Sequence, residues 1–179
     1  VSDFAIDIVN HRWIDNDPEN ETDECSHGRF LLTIGGQEIL TYSDEIEDWT
    51  TSTSVLRLLR TIENDFNQED RGYGILLHCG MIQMISCPIA IDWILTHEGR
   101  KVVIREIKKY PSSDDSRVID FKGLEVSIDI KDYTREVVKV ARQVKEFFSR
   151  SKPRKLMGVD IECNREFWQE FDALLLKYS

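Results

Sequence analysis

The stretch from residue 73 to 110 constrains this chain most. Gly74-Ile75-Leu76-Leu77-His78-Cys79-Gly80 is followed by Ile89-Ala90-Ile91-Asp92-Trp93-Ile94-Leu95, a turn at His97-Glu98-Gly99-Arg100, and Lys101 to Lys109. β-Branched and apolar residues at this density, on both sides of a Gly-containing turn, specify strands and a hairpin. Any sheet in the molecule is expected to hold these strands near its centre. Ser86-Cys87-Pro88 interrupts them, because proline has no N–H to donate to a ladder.

The remaining chain supplies partners for that sheet. Phe4 to Ile14 reads as a first strand with Phe4, Ile6 and Ile8 on one face, and residues 15–24 as an acidic loop. Arg29 to Ile34, Gly35-Gly36 and Gln37 to Tyr42 form a hairpin whose two glycines permit positive φ. After a second acidic loop at Ser43 to Asp48, one of Thr51, Ser52 and Thr53 caps a helix to about Phe66, with Val55, Leu59, Ile62 and Phe66 in one stripe. A polar break follows at Asn67 to Gly72, and a loop at residues 111–115. Alternation at Leu124, Val126, Ile128 and Ile130 predicts a strand. Asp132 can cap a helix over 133–149 with Tyr133, Val137, Val140, Val144 and Phe147 inward, and Asn164 a last helix burying Phe167, Phe171, Leu174 and Tyr178. Residues 1–179 thus read as a single α+β domain, an antiparallel or mixed sheet of about six strands covered by three helices.

Charge narrows the function. The formal net charge is −10, which argues against a nucleic-acid binder needing a basic footprint and suits a basic protein partner. No apolar run approaches the roughly 18 residues that span a bilayer. The start, Val1-Ser2-Asp3-Phe4, lacks a basic n-region, so the expected address is the cytosol, away from membranes. Cys25, Cys79, Cys87 and Cys163 contain no C-x-x-C and are expected as free thiols. The acidity is concentrated: residues 1–50 hold Arg12 and Arg29 as their only Lys or Arg, whereas residues 135–155 are rich in both. Either the acidic segments face a partner, or the two regions face each other, or each is a solvated surface.

Several patterns touch on chemistry. Asp15, Asp17, Glu19, Glu21 and Asp23 have the alternate spacing of calcium ligands, but Asn20 stands where an EF-hand loop needs glycine and Pro18 intrudes. Asp92 with Glu106-Ile107-Lys108 resembles the metal-dependent PD-(D/E)xK nucleases, in which carboxylates hold a cation and lysine assists the attacking water. A two-residue turn at Glu98-Gly99 would pair Asp92 with Arg105 and send Asp92 and Glu106 to opposite faces; a three-residue turn would unite them. Cys25-x-His27 with His78-Cys79 could make a Cys2His2 zinc site, but adjacent strand residues point apart, so His78 and Cys79 are not expected to reach one ion. Cys79 coupled to His97 or His27 lacks any local signature of a nucleophile. No catalytic residue, metal or cofactor is expected. Trp49 beside Asp48, if exposed, would suit a protein interface.

Asp23-x-Cys25-x-His27-Gly28, Trp49 leading into the helix at Val55 to Glu63, His78-Cys79-Gly80 and Asp92-Trp93-x-x-x-His97 together resemble small bacterial proteins of unassigned enzymatic activity. Among those are the immunity proteins of polymorphic and contact-dependent toxin systems. The resemblance, of size, acidity and layout, implies a non-enzymatic protein that neutralises a basic toxin domain, often a nuclease, by binding it. The implied surface is Asp15, Asp17, Glu19, Glu21, Asp23 and Glu24 together with Asp44, Glu45, Glu47, Asp48 and Trp49. The alternatives are the metal-dependent nuclease through Asp92, Glu106 and Lys108, and a structural or regulatory interaction module.

Overall fold

The computed structural model describes residues 3–67, 74–82 and 87–179. Apart from Asn67, the expected polar break at 67–72 lies outside the described residues, as do Tyr73 and Ser86. In chain order the elements are β1 (Phe4–Arg12), β2 (His27–Ile34), β3 (Gln37–Leu40), β4 (Trp49–Thr50), α1 (Thr51–Arg60), β5 (Leu76–Leu77), β6 (Ala90–Glu98), β7 (Lys101–Tyr110), β8 (Ile119–Asp120), β9 (Val126–Asp129), α2 (Ile130–Arg150) and α3 (Val159–Tyr178). All strands pair antiparallel in one nine-stranded sheet of order β1-β2-β4-β5-β6-β7-β8, with β3 also on β2 and β9 also on β7. The fold is α+β. The strand number exceeds the expected six because β4, β5 and β8 have two residues each, too few for a periodic pattern.

The sheet is curled. Phe4 of β1 meets Trp93 of β6 edge-on at 6.3 Å between ring centroids, although β2, β4 and β5 stand between those strands in the sheet. Tyr133 of α2 tilts against the same Phe4 ring at 4.9 Å. The alternation of β1 therefore buries Phe4, Ile6 and Ile8 on the concave face. Onto it α2 turns Tyr133, Val137, Val140, Ala141 and Val144, and α1 contributes Val55 and Leu59 to the same core. At the far end of the β2–β3 hairpin, Gly35 and Gly36 take φ of +58° and +78°, as the two-residue turn requires.

The β6–β7 hairpin turns at Gly99-Arg100, one residue later than Glu98-Gly99, since Glu98 pairs with Lys101 and Gly99 takes φ +63°. Its register then shifts between Asp92 and Ile94, where Glu106 takes φ +53°. The observed turn alone would set Asp92 opposite Ile107, and the extra residue, a β-bulge, moves it one further to Lys108, so the pairing with Arg105 expected from a Glu98-Gly99 turn does not form.

Helix boundaries differ from the periodic reading at four places. α1 stops at Arg60, and Phe66 instead exchanges backbone hydrogen bonds with Leu95 of β6, both 2.8 Å. The residue before that helix is Thr50, without a side-chain cap, instead of one of Thr51, Ser52 and Thr53. Asp129, not Asp132, caps α2 by accepting from the Lys131 N–H at 2.9 Å, so Ile130 belongs to the helix and not to the strand. α3 begins at Val159 after Gly158 at φ +60°, ahead of Asn164. It buries Phe167 and Phe171 and leaves Leu174 and Tyr178 half-buried. A bidentate Arg60–Glu170 pair, at 2.6 and 2.7 Å, ties it to α1. At the β1 edge, Gln143 of α2 accepts from the Ile8 N–H at 3.3 Å and donates to Asp7 at 2.7 Å.

Inside the core the Tyr133 hydroxyl shares a 2.6 Å hydrogen bond with that of Thr61, which also donates to the Leu58 carbonyl. Tyr133→Phe should cost about 1 kcal/mol, the net worth of one such bond. Tyr133→Ala should cost about 3–5 kcal/mol by opening a cavity beneath Phe4. Urea unfolding midpoints of the two variants check both values.

Candidate functional site

The acidic segments expected to face a partner are largely engaged within the molecule. Arg29, buried in β2, donates to the carbonyls of Thr41, Tyr42 and Asp44 and pairs with Glu47 at 2.6 Å. Asp44 pairs with Lys109 of β7 and Asp48 with Arg12 of β1. Glu45 is the exposed exception, 4.0 Å from Arg117. Trp49 is fully buried, so it is a core residue of β4 and not an interface anchor.

The loop at residues 15–24 divides in two. Lys152 pairs with Glu19, and Lys155 pairs with Glu21 while its N–H bonds the Glu21 carbonyl. Arg154 stacks 3.8 Å over Trp13 and donates to the Asp23 carbonyl. The basic segment after α2 thus folds back over this half of the loop, which is the facing-halves outcome. Burial acts to raise the Asp23 carboxyl, but the His27 imidazole and the N–H groups of Ile14 and Cys25 outweigh it and hold the group below its ordinary value. Asp15, Asp17 and Glu24 have no ion pair among the described residues. Burial raises the Glu24 carboxyl, and the neighbouring carboxylates of Asp160 and Asp23 raise it further.

Beside Glu24 lies a groove lined by Ile14, Asp23, His27, Cys79, Met81 and Ile82, among others, with a volume of about 290 Å³. Ile14 and Met81 are 55% and 53% exposed at its mouth. Asp160, in the first turn of α3, is within electrostatic reach of Glu24. Val159 in that turn and Met157 just before the helix are 72% and 82% exposed. Ile14, Met81 and Asp160 gave no sequence signal, because isolated exposed apolar residues are ordinary until the fold clusters them.

Across the groove, Cys79 stands with His78 and Cys87. One ligand atom from each lies within 4.8 Å of the others. The expectation that His78 and Cys79 point apart fails because β5 ends at Leu77, and the two residues occupy a bend where strand alternation no longer applies. Cys25 and His27 do not join them: the Cys25 thiol is buried and pushed up to about 12, and His27 is engaged with Asp23. His97 pairs with Asp65 at 2.8 Å, well removed from a role beside Cys79. Of the nuclease-like residues, Asp92 is fully buried, Glu106 is exposed on the bulge, and Lys108 lies opposite Asp92 on the ladder.

His27 is also within electrostatic reach of His11 and His78. His11 bonds the Thr51 hydroxyl at 2.9 Å and stacks on Phe147 at 4.2 Å. Burial, assisted by His27, lowers its imidazole from 6.5 to about 4. Between those values the unfolded chain binds a proton that the folded chain does not, so stability falls as pH drops from 6.5 towards 4. The loss should be on the order of 3 kcal/mol. Denaturant unfolding at pH 6.5, 5 and 4 should show it in the wild type and much less of it in His11→Gln. Comparison of the chain with protein-family models, with curated proteins and with solved structures finds no match.

Proposed function

We propose that this protein is a non-enzymatic binding protein whose partner is a basic protein domain, with neutralisation of a cognate toxin, such as a nuclease, as its concrete form. The observation that carries this reading is the groove that exposed Ile14 and Met81 line together with Glu24, with Asp15 next to Ile14 in the chain and Asp160 within electrostatic reach of Glu24. Interfaces draw most of their affinity from a few apolar anchors that become fully buried, while surrounding charge sets encounter rate and rejects wrong partners. A net charge of −10 extends that steering field well beyond the groove. The Asp44 to Asp48 loop contributes to the field, but its carboxylates serve Arg12, Arg29 and Lys109. Asp15, Asp17 and Glu24, without internal ion pairs among the described residues, can be given to a partner without breaking the fold.

The test is a growth assay with the C-terminal domain encoded by the adjacent gene, expressed with and without this protein. That domain should be toxic alone and harmless in company. Reversing Asp15, Asp17 and Glu24 to lysine should abolish protection and flatten the salt dependence of binding, while stability changes by no more than about 0.5 kcal/mol per site. Reversing Asp44 and Glu47 should instead lower stability. A domain that is harmless alone ends the toxin reading, and protection that survives both the triple reversal and Ile14→Asp removes the groove from it.

A further inference from the structure

We infer that His78, Cys79 and Cys87 form a binding site for a zinc-class divalent cation, held by two thiolates and one imidazole with the fourth position open to solvent. The imidazole Nδ1 of His78 lies 3.6 Å from the Cys87 sulfur. Zinc bonds of about 2.3 Å to sulfur and 2.0–2.1 Å to nitrogen give a tetrahedron edge of about 3.6 Å between those two atoms. A cation can therefore enter with little rearrangement of that pair.

The backbone holds the three residues in place. Leu77 pairs with Ala90 on the β5–β6 ladder. The His78 N–H donates to the Ile89 carbonyl at 3.2 Å, and the His78 carbonyl accepts from the Thr50 hydroxyl at 3.0 Å. Continued one step, that register sets Cys79 opposite Pro88, and Cys87 is the residue next to Pro88, close enough for its N–H to reach the Cys79 sulfur. A Cβ on Gly80 would stand 2.7 Å from Leu77 Cδ1 and 2.8 Å from the Thr53 hydroxyl, so a side chain there would crowd the packing beside Cys79. The Cys87 N–H hydrogen-bonds the Cys79 sulfur, which holds the two residues beside each other.

The donor set selects the metal. Thiolate and imidazole favour zinc over magnesium or calcium, which take oxygen ligands. Binding displaces one proton from each thiol, and the hydrated cation gives up the waters at the positions that the two sulfurs and the imidazole nitrogen take; no electron is transferred, and affinity rises with pH. Cys79 is exposed and also lines the groove, so the fourth position is accessible.

The full chain, reduced with a phosphine, stripped with chelator and titrated with Co²⁺, tests the site. One equivalent should produce thiolate-to-cobalt charge transfer and tetrahedral d–d absorption, both bleached by Zn²⁺. Cys79→Ser, Cys87→Ser and His78→Ala should each weaken binding by more than about 100-fold, beyond the loss typical of an outer-shell partner. Cys25→Ser and Cys163→Ser should leave it unchanged. A second measurement covers variants that fail to fold: Zn²⁺ should protect Cys79 and Cys87 of the wild type, and not Cys163, from alkylation. Absence of charge transfer at stoichiometric Co²⁺, its persistence in the Cys79→Ser/Cys87→Ser double variant, or protection at Cys163 instead would overturn the assignment. None of these outcomes bears on whether the groove binds a basic domain.

Discussion

Contact between Phe4 and Trp93 is the constraint on which the rest of this structure depends. Rings on strands so far apart in one sheet meet only if the sheet bends around its own apolar face. Once it does, the enclosed face is deep enough to take helices lengthwise, and Tyr133 completes the aromatic group. α1 and α2 are thereby fixed, and α3 is fixed against them through Phe167, Phe171 and the Arg60–Glu170 pair. The bulge at Glu106 adds twist where the hairpin must follow the bend.

Much of this architecture was legible in the sequence. Alternation in β1, the paired glycines of the β2–β3 turn and the apolar stripe of α2 are local signals, and tertiary packing agrees with each. Illegible features depend on distant partners. Phe66 continues the α1 stripe in sequence but is captured by Leu95, and two-residue strands such as β4 and β5 exist only because neighbours offer them hydrogen bonds. Trp49 follows a run of acids yet is buried, because β4 is an interior strand.

The candidate sites follow the same division. Acid-rich and base-rich regions were visible, but not that Lys152 and Lys155 would reach Glu19 and Glu21 across most of the chain. Such pairs are exposed and contribute little each. They nevertheless decide which carboxylates remain available, and so move the proposed interaction surface from a whole loop to the vicinity of Ile14 and Glu24. Cys87 drew no attention beside Pro88, and its relation to His78 and Cys79 emerges only from the β5–β6 register.

The Gln143 contact at the β1 edge limits how anything can approach. A long edge strand ordinarily invites another chain to extend the sheet through main-chain hydrogen bonds. Here the Ile8 N–H is already taken by a side chain from α2, and positive φ at Asn10 with a register shift bends the strand away beyond it. An extended peptide laid along β1 would lose its central hydrogen bond and find no straight template past Val9. Recognition by this molecule is thus directed to side-chain surfaces, and the same arrangement guards the edge against self-association into fibres.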